Sequence, residues 1–298
     1  MPNSEIAAIR ALLAGLPPAA NVEEARGRYE SVAPMFPTAP DVTTTPETIA
    51  GVRCEWSATP AAHAERVVLY LHGGGYVGGS VASHRHLAAE VGRAAGARAL
   101  TVDYRLAPEH PFPAAVDDAL AVYRHLLNSG RRSSNIVLAG DSAGGGLTVA
   151  TLLAAKAAGL PQPACAFCIS PWVDLECVGE SMVSQASEEP MVVRAQLVEY
   201  AGLYLNGRPP RAALAAPMYG DFAGLAPLLI QVGSAEVLLD DAVRLARAAG
   251  AARVPVQLEI WPEMIHVWHF FHRTLSDARR ALAQAGAFIR SHIDPLKQ

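Results

Sequence analysis

Asn135-Ile-Val-Leu-Ala-Gly-Asp-Ser-Ala-Gly-Gly-Gly-Leu147 decides the reading of this chain. Its first half is a short apolar run, which predicts a buried strand over 135–139. The small residues that follow open a helix-forming stretch over 144–158, rich in Ala and Leu. Between them lies Gly140-Asp-Ser-Ala-Gly144, a strand-to-helix turn with a serine at its centre.

The same alternation spreads outward. Upstream, strands are expected over 67–71 and 98–102, with helices over 87–95 and 113–127. Downstream, a strand is expected over 164–169. The pattern stops over 174–215, which holds polar helical stretches and no strand. It resumes with strands over 227–232 and 256–261 and helices over 240–250 and 276–292. Repeated strand–helix units imply an α/β fold, a mostly parallel sheet covered by helices on both faces. Thr-rich 40–58 reads as early edge strands, and 3–33 as amphipathic helices broken at Gly15 and Pro17-Pro18. The expected organisation is N-terminal helices over 1–45, a core over 46–173 and 216–298, and an inserted cap over 174–215 that the N-terminal helices join.

Composition bounds the function. The chain has 298 residues, 51% hydrophobic, with a formal net charge of -4 and Lys156 and Lys297 as its only lysines. That suits one large folded domain and lacks the basic footprint a nucleic acid requires. No apolar run is long enough to span a bilayer, and Glu5 and Arg10 interrupt the first apolar stretch, so neither a signal peptide nor stable membrane association is expected. The cysteines are Cys54, Cys165, Cys168 and Cys177. Cys165 and Cys168 have C-x-x-C spacing but lie on an expected strand, where residues three apart point to opposite faces. They read as buried and inert, which fits the cytoplasm; no metal site is expected.

The turn carries chemistry. A G-x-S-x-G pentapeptide between strand and helix exposes its serine, and Ser142 is the expected nucleophile. No Gly-Lys-Ser/Thr follows, so a phosphate loop is excluded. His72-Gly-Gly-Gly75 follows the first core strand. Consecutive glycines leave backbone N–H groups open to a ligand, and this motif type builds oxyanion holes. Gly74, Gly75 and Ala143 are the expected donors, with His72 and Asp141 as supporting groups; a solvated turn residue is an equal reading for Asp141. Of ten histidines, His266 lies just after the last strand and is the expected base. The acid should follow the preceding strand, where Glu236 stands. Asp240 is the alternative, although Asp240 and Asp241 sit where helix capping would explain them. Tyr76 and Trp172 lie near the motifs and are candidate pocket residues, with plain burial as the competing reading.

Together these residues resemble the bacterial esterases related to mammalian hormone-sensitive lipase. The matching pieces run from 68 to 267: Leu71-His-Gly-Gly-Gly-Tyr76, Asp103-Tyr-Arg-Leu-Ala-Pro-Glu-His-Pro-Phe-Pro113, Gly140-Asp-Ser-Ala-Gly-Gly145, Ser170-Pro-Trp172 and the segments around Glu236 and His266. The 103–113 piece has no obvious catalytic chemistry and is read as shaping the loop beside the site. The resemblance implies an α/β-hydrolase fold with a helical cap, cofactor-free and metal-free hydrolysis, and short- to medium-chain acyl esters. Many relatives carry Asp where this chain has Glu236. Many also dimerise through an edge strand, so a homodimer is implied by the resemblance and not by the residues.

The expected activity is therefore a serine carboxylesterase acting on a small-molecule ester through an acyl-enzyme. A lactone hydrolase or small-amide deacetylase would use the same triad. A non-catalytic receptor, as in the plant gibberellin receptors, is a remote alternative, since such proteins tend to lose a triad member. A lipase working at a membrane surface is disfavoured because the N-terminal helix lacks a basic polar face.

Overall fold

The computed structural model describes residues 3–15 and 19–293. The expected break at Pro17-Pro18 lies outside the described residues. In chain order the elements are α1 (Ser4–Ala14), α2 (Val22–Val32), β1 (Thr43–Ile49), β2 (Val52–Ala58), β3 (His63–Leu71), α3 (Val81–Ala95), β4 (Ala97–Asp103), α4 (Ala114–Asn128), β5 (Ile136–Asp141), α5 (Ala143–Ala157), β6 (Cys165–Ile169), α6 (Ser181–Ser184), α7 (Arg194–Leu205), β7 (Leu228–Gly233), α8 (Leu239–Ala251), β8 (Val256–Trp261) and α9 (Ser276–His292).

The strands form one sheet in the order β1-β2-β4-β3-β5-β6-β7-β8. β1 to β2 and β2 to β4 pair antiparallel, and every later pairing is parallel. Side chains alternate across it. Val67, Leu69 and Leu71 of β3 pack with residues of α4, α5 and α8, while Val68 and Tyr70 pack with those of α3 and α9. Cys165 belongs to the second of these layers and Cys168 to the first, so the C-x-x-C thiols diverge as the strand period requires. All four cysteines are free and buried, and burial pushes each thiol up to about 12.

Expected boundaries move most in three places, and β3 begins at His63 rather than 67. β1 begins at Thr43, ahead of the division drawn at residue 45. α3 begins at Val81 rather than 87, because Ser80 caps it and Ser83 returns a bond to the Ser80 N–H. Serine at the third helical position is a weak sequence signal compared with Glu or Gln there.

The N-terminal helices and the insert meet over the C-terminal ends of the strands. Ile6 and Ile9 of α1 pack with Trp261, Ile265 and Trp268, and Met191 from the insert joins that cluster. Arg10 pairs with Glu188 at 2.7 Å. Arg26 of α2 bonds the carbonyls of Val77 and Ala107 and pairs with Glu109.

Candidate active site

Ser142 joins β5 to α5 with φ 54 and ψ -123. Its N–H donates to the Ile169 carbonyl and its carbonyl accepts from Trp172, which ties the turn to the end of β6. The tight turn explains its small neighbours. A Cβ on Gly144 would overlap the Leu71 and His72 carbonyls, and one on Gly140 would overlap Gly144 itself. Ala143 is the first residue of α5, so its N–H has no intrahelical acceptor and points out from the positive end of the helix.

The glycine loop after β3 is held from behind. Gly73 N–H lies 3.2 Å from both Asp141 Oδ1 and His84 Nε2. Asp141 also accepts from Tyr70 Oη at 2.8 Å and faces His84 at 3.4 Å. Asp141 is 1% exposed, which corrects the reading of a solvated turn residue. Burial works against its charge, but His84, Tyr70 and His72 outweigh that and hold its pKa below the usual carboxylate value. Beyond Gly73, Gly74 and Gly75 take φ of 117 and 63, and their N–H groups make no hydrogen bond among the described residues. His72 bonds through Nδ1 to the Gly73 carbonyl at 2.8 Å and stacks on Tyr104, whose hydroxyl donates to the His72 carbonyl. Burial depresses its pKa to about 3, which keeps the ring neutral near pH 7. The 103–113 piece acts on the same loop: Ala107 N–H bonds the Tyr76 carbonyl, and Arg105 is pinned to Asp118.

His266 follows β8, and its Nδ1 lies 2.8 Å from Glu236 Oε2. Glu236 follows β7 and is fully buried. Its Oε1 accepts from Ser170 Oγ and from Gly233 N–H. Ser170 Oγ in turn accepts from Val267 N–H at 3.1 Å. One serine therefore locks the carboxylate to the histidine loop. Burial penalises a charged imidazole here, but the bond and charge of Glu236, with Glu189 and Asp141 beyond, raise the His266 pKa above its ordinary value. Ser142 Oγ and His266 Nε2 have no hydrogen-bond partner among the described residues.

Asp240 and Asp241 do neither expected job. Neither caps α8, which has no side-chain cap. Asp240 Oδ2 accepts from Ser181 N–H, and Asp241 Oδ2 accepts from the N–H groups of Val173 and Asp174. They fasten the root of the insert to the core, and neither bonds His266.

Three residues near the site were not foreseen. Glu189, from the insert, accepts from His266 N–H at 2.9 Å and from Met191 N–H at 2.8 Å. Tyr200 of α7 lies where a Cβ on Gly75 would be, and Tyr29 of α2 lies where one on Gly78 would be. Both caps of the glycine loop therefore come from segments that carry no motif. Tyr76 and Trp172, the pocket candidates, are 1% and 0% exposed; Tyr76 stacks on Tyr204 with centroids 3.9 Å apart, and Trp172 donates to the Asp174 carbonyl. Among the described residues no three His, Cys, Asp or Glu side chains are placed to hold a metal ion.

A family model described as the alpha/beta hydrolase fold matches residues 68–270. An acetyl-hydrolase of Streptomyces hygroscopicus is 52% identical over 244 residues, covering 82% of this chain and 81% of that protein. An esterase of Acinetobacter venetianus is 33% identical over 261 residues, covering 86% and 85%. The crystal structure of an esterase from the bacterial hormone-sensitive lipase family superposes with a TM-score of 0.95 at 44% identity, covering 99% of this chain and 100% of that one.

Proposed function

The chain belongs to the alpha/beta hydrolase fold family and is a carboxylic-ester hydrolase of the hormone-sensitive lipase type; from that premise we propose that Ser142, His266 and Glu236 are its catalytic triad. The observation that carries this is the His266–Glu236 pair at 2.8 Å, with its other ring nitrogen open; the serine of the proposed triad is held at a positive-φ strand-to-helix turn.

The mechanism follows from those groups. His266 Nε2 takes the Ser142 proton as Oγ attacks the ester carbonyl carbon. The carbonyl π pair moves onto oxygen, and the N–H groups of Gly74, Gly75 and Ala143 receive the anion. Glu236 keeps Nδ1 protonated and stabilises the imidazolium. Collapse expels the alkoxide, which takes the proton from His266. Water then attacks the acyl-enzyme with His266 again as base, releasing the acid. His72 and Asp141 hold the loop and do not exchange protons with substrate.

The substrate class is a short- to medium-chain acyl ester. Tyr29 and Tyr200 crowd the glycine loop and support the short end of that range, and the acetyl-hydrolase name of one relative supports it too. Tyr76 and Trp172 back the site from beneath. The cap comprises α1, α2 and residues 174–215, a grouping supported by the Arg10–Glu188 pair and the shared cluster at Met191. No described helix is long and apolar enough to cross a membrane. A cytoplasmic location is supported by the four unpaired cysteines, and a homodimer by the open edge of β8, where Ile260 is 47% exposed.

The test is a fluorophosphonate label read by peptide mass, together with a panel of aryl esters of increasing acyl length, lactones and acetamides. We expect one adduct, on Ser142, and the highest kcat/KM on acetyl to butyryl esters. An unlabelled Ser142 with turnover intact refutes the triad. A preference for lactones or acetamides would move the substrate class and leave the triad standing.

A further inference from the structure

Glu189 is the one carboxylate near the proposed triad that the mechanism above does not use. It lies in the insert, between α6 and α7, and is buried beside His266. Its two oxygens have distinct partners: Oε2 takes the His266 N–H and Oε1 the Met191 N–H. His266 thus receives a carboxylate at the ring from Glu236, on the core, and a second one at the main chain from Glu189, on the insert.

Isolated carboxylates are rarely buried, because losing hydration disfavours the charged form. Here two backbone donors and a neighbouring imidazole offset that cost only in part. Burial, together with the Glu236 charge, pushes the Glu189 pKa up to about 7 against the pull of His266 and of the two N–H groups. The charged groups facing Glu189 are His266 and Glu236, and those facing His266 are Glu236, Glu189 and Asp141. A group placed only to hold the insert down could be an amide, without the desolvation penalty.

We propose that Glu189 is a positioning residue for His266, fixing its main chain from the insert and, at pH values where its carboxyl is ionised, placing a second negative charge beside the imidazole that charges during turnover. This rests on the reading of His266 as the general base. It makes the insert part of the base's scaffold as well as a cover over the substrate. Segment 174–215 reaches the His266 main chain through this side chain, as Tyr200 reaches the glycine loop, while Asp240 and Asp241 hold its root. The anion favours the imidazolium that forms as Ser142 attacks, so its effect falls on kcat. It touches no substrate, so KM should hardly move.

The test uses the full chain carrying E189Q, E189D or, as a control, E188Q, with kcat and KM for an aryl acetate followed across pH. Glu188 is exposed and pairs only with Arg10. E189Q keeps an oxygen for His266 N–H but removes the charge. We expect kcat to fall roughly ten-fold, KM to stay within about two-fold, and the acid limb of kcat/KM to move to lower pH by at least about half a unit. The sign follows from charge: losing an anion makes the imidazolium less stable, so its pKa drops. E189D retains the charge but is one methylene too short to reach His266 N–H, so kcat should fall about ten-fold with the acid limb near its original place. E188Q should match the parent. An E189Q enzyme with the parent's kcat and acid limb overturns the proposal, and so does one that is merely less stable. If E189Q does not accumulate as folded protein, E189D decides: unchanged kcat overturns it. H266A separates this inference from its premise. Full turnover by H266A removes both, whereas an inactive H266A beside a parent-like E189Q removes only the role of Glu189.

Discussion

Two buried histidine–carboxylate pairs flank Ser142, and they differ in what the second ring nitrogen does. His266 gives Nδ1 to Glu236 and leaves Nε2 without a partner among the described residues. His84 faces Asp141 and Gly73 with Nε2, while its Nδ1 lies 2.8 Å from Ser83 Oγ. The first ring has an open nitrogen, which the proposed base needs. The second is engaged at both ends and spends its capacity on holding the glycine loop. A histidine beside a carboxylate is therefore not a base by virtue of the pair; the unengaged nitrogen makes the difference.

The comparison breaks most sharply under substitution. H266A should lower kcat/KM by about 10⁴-fold or more, because the nucleophile loses its proton acceptor. H84Q keeps an amide near the Gly73 N–H and should cost only about ten-fold, since loop position and not proton transfer is disturbed. Steady-state kinetics on an aryl acetate measures both; equal losses would erase the distinction.

A smaller effect tests the acid. E236Q should reduce kcat by roughly 10²- to 10⁴-fold, as the imidazole loses its orienting and stabilising anion. D240N should keep kcat within about three-fold and lower the denaturant midpoint instead, because Asp240 bonds only the root of the insert. If D240N were the inactive variant and E236Q the active one, the assignment would reverse.

The gentlest probe is pH. The His266 pKa lies above its ordinary 6.5, so kcat/KM should decline as pH falls through a value higher than that. Asp141 is the opposite case, with its pKa held below the usual 3.8. A depressed carboxylate contributes stability above its unfolded pKa and loses it only as pH falls through its lower folded value. Just below the acid limb the Asp141 contribution to stability is still present, so activity should fall before the fold is lost and should return on neutralisation. Circular dichroism alongside rate measurement checks this; unfolding that coincides with the acid limb would contradict it.

The legible parts of the molecule were those where one residue type answers one geometric demand. Gly140 and Gly144 stand where any Cβ would strike backbone, and the alternating apolar strands state the sheet. His266 and Glu236 were placed by strand order. Glu189 was not, because it sits in a segment whose period is broken and whose partner, His266, is distant in sequence. Its signal was present only as an acid amid Ser-Glu-Glu-Pro-Met, which any solvated loop would show. Tyr29 and Tyr200 escaped for the same reason, since their place over the glycine loop depends on how the helices dock. Asp240 and Asp241 were misread because a helix start suggests capping, whereas long-range backbone donors claim both side chains.

The Ser142 backbone angle has a consequence for heat tolerance. A side chain at φ 54, ψ -123 sits outside the regions that L residues occupy at ease, at a cost of about 1–3 kcal/mol that the neighbouring fold must absorb. Glycine in its place would relax that turn and raise the melting temperature while removing the proposed nucleophile. Activity and thermal robustness thus pull in opposite directions at a single residue, and any search for hardier variants of this enzyme should look for its gains elsewhere in the chain.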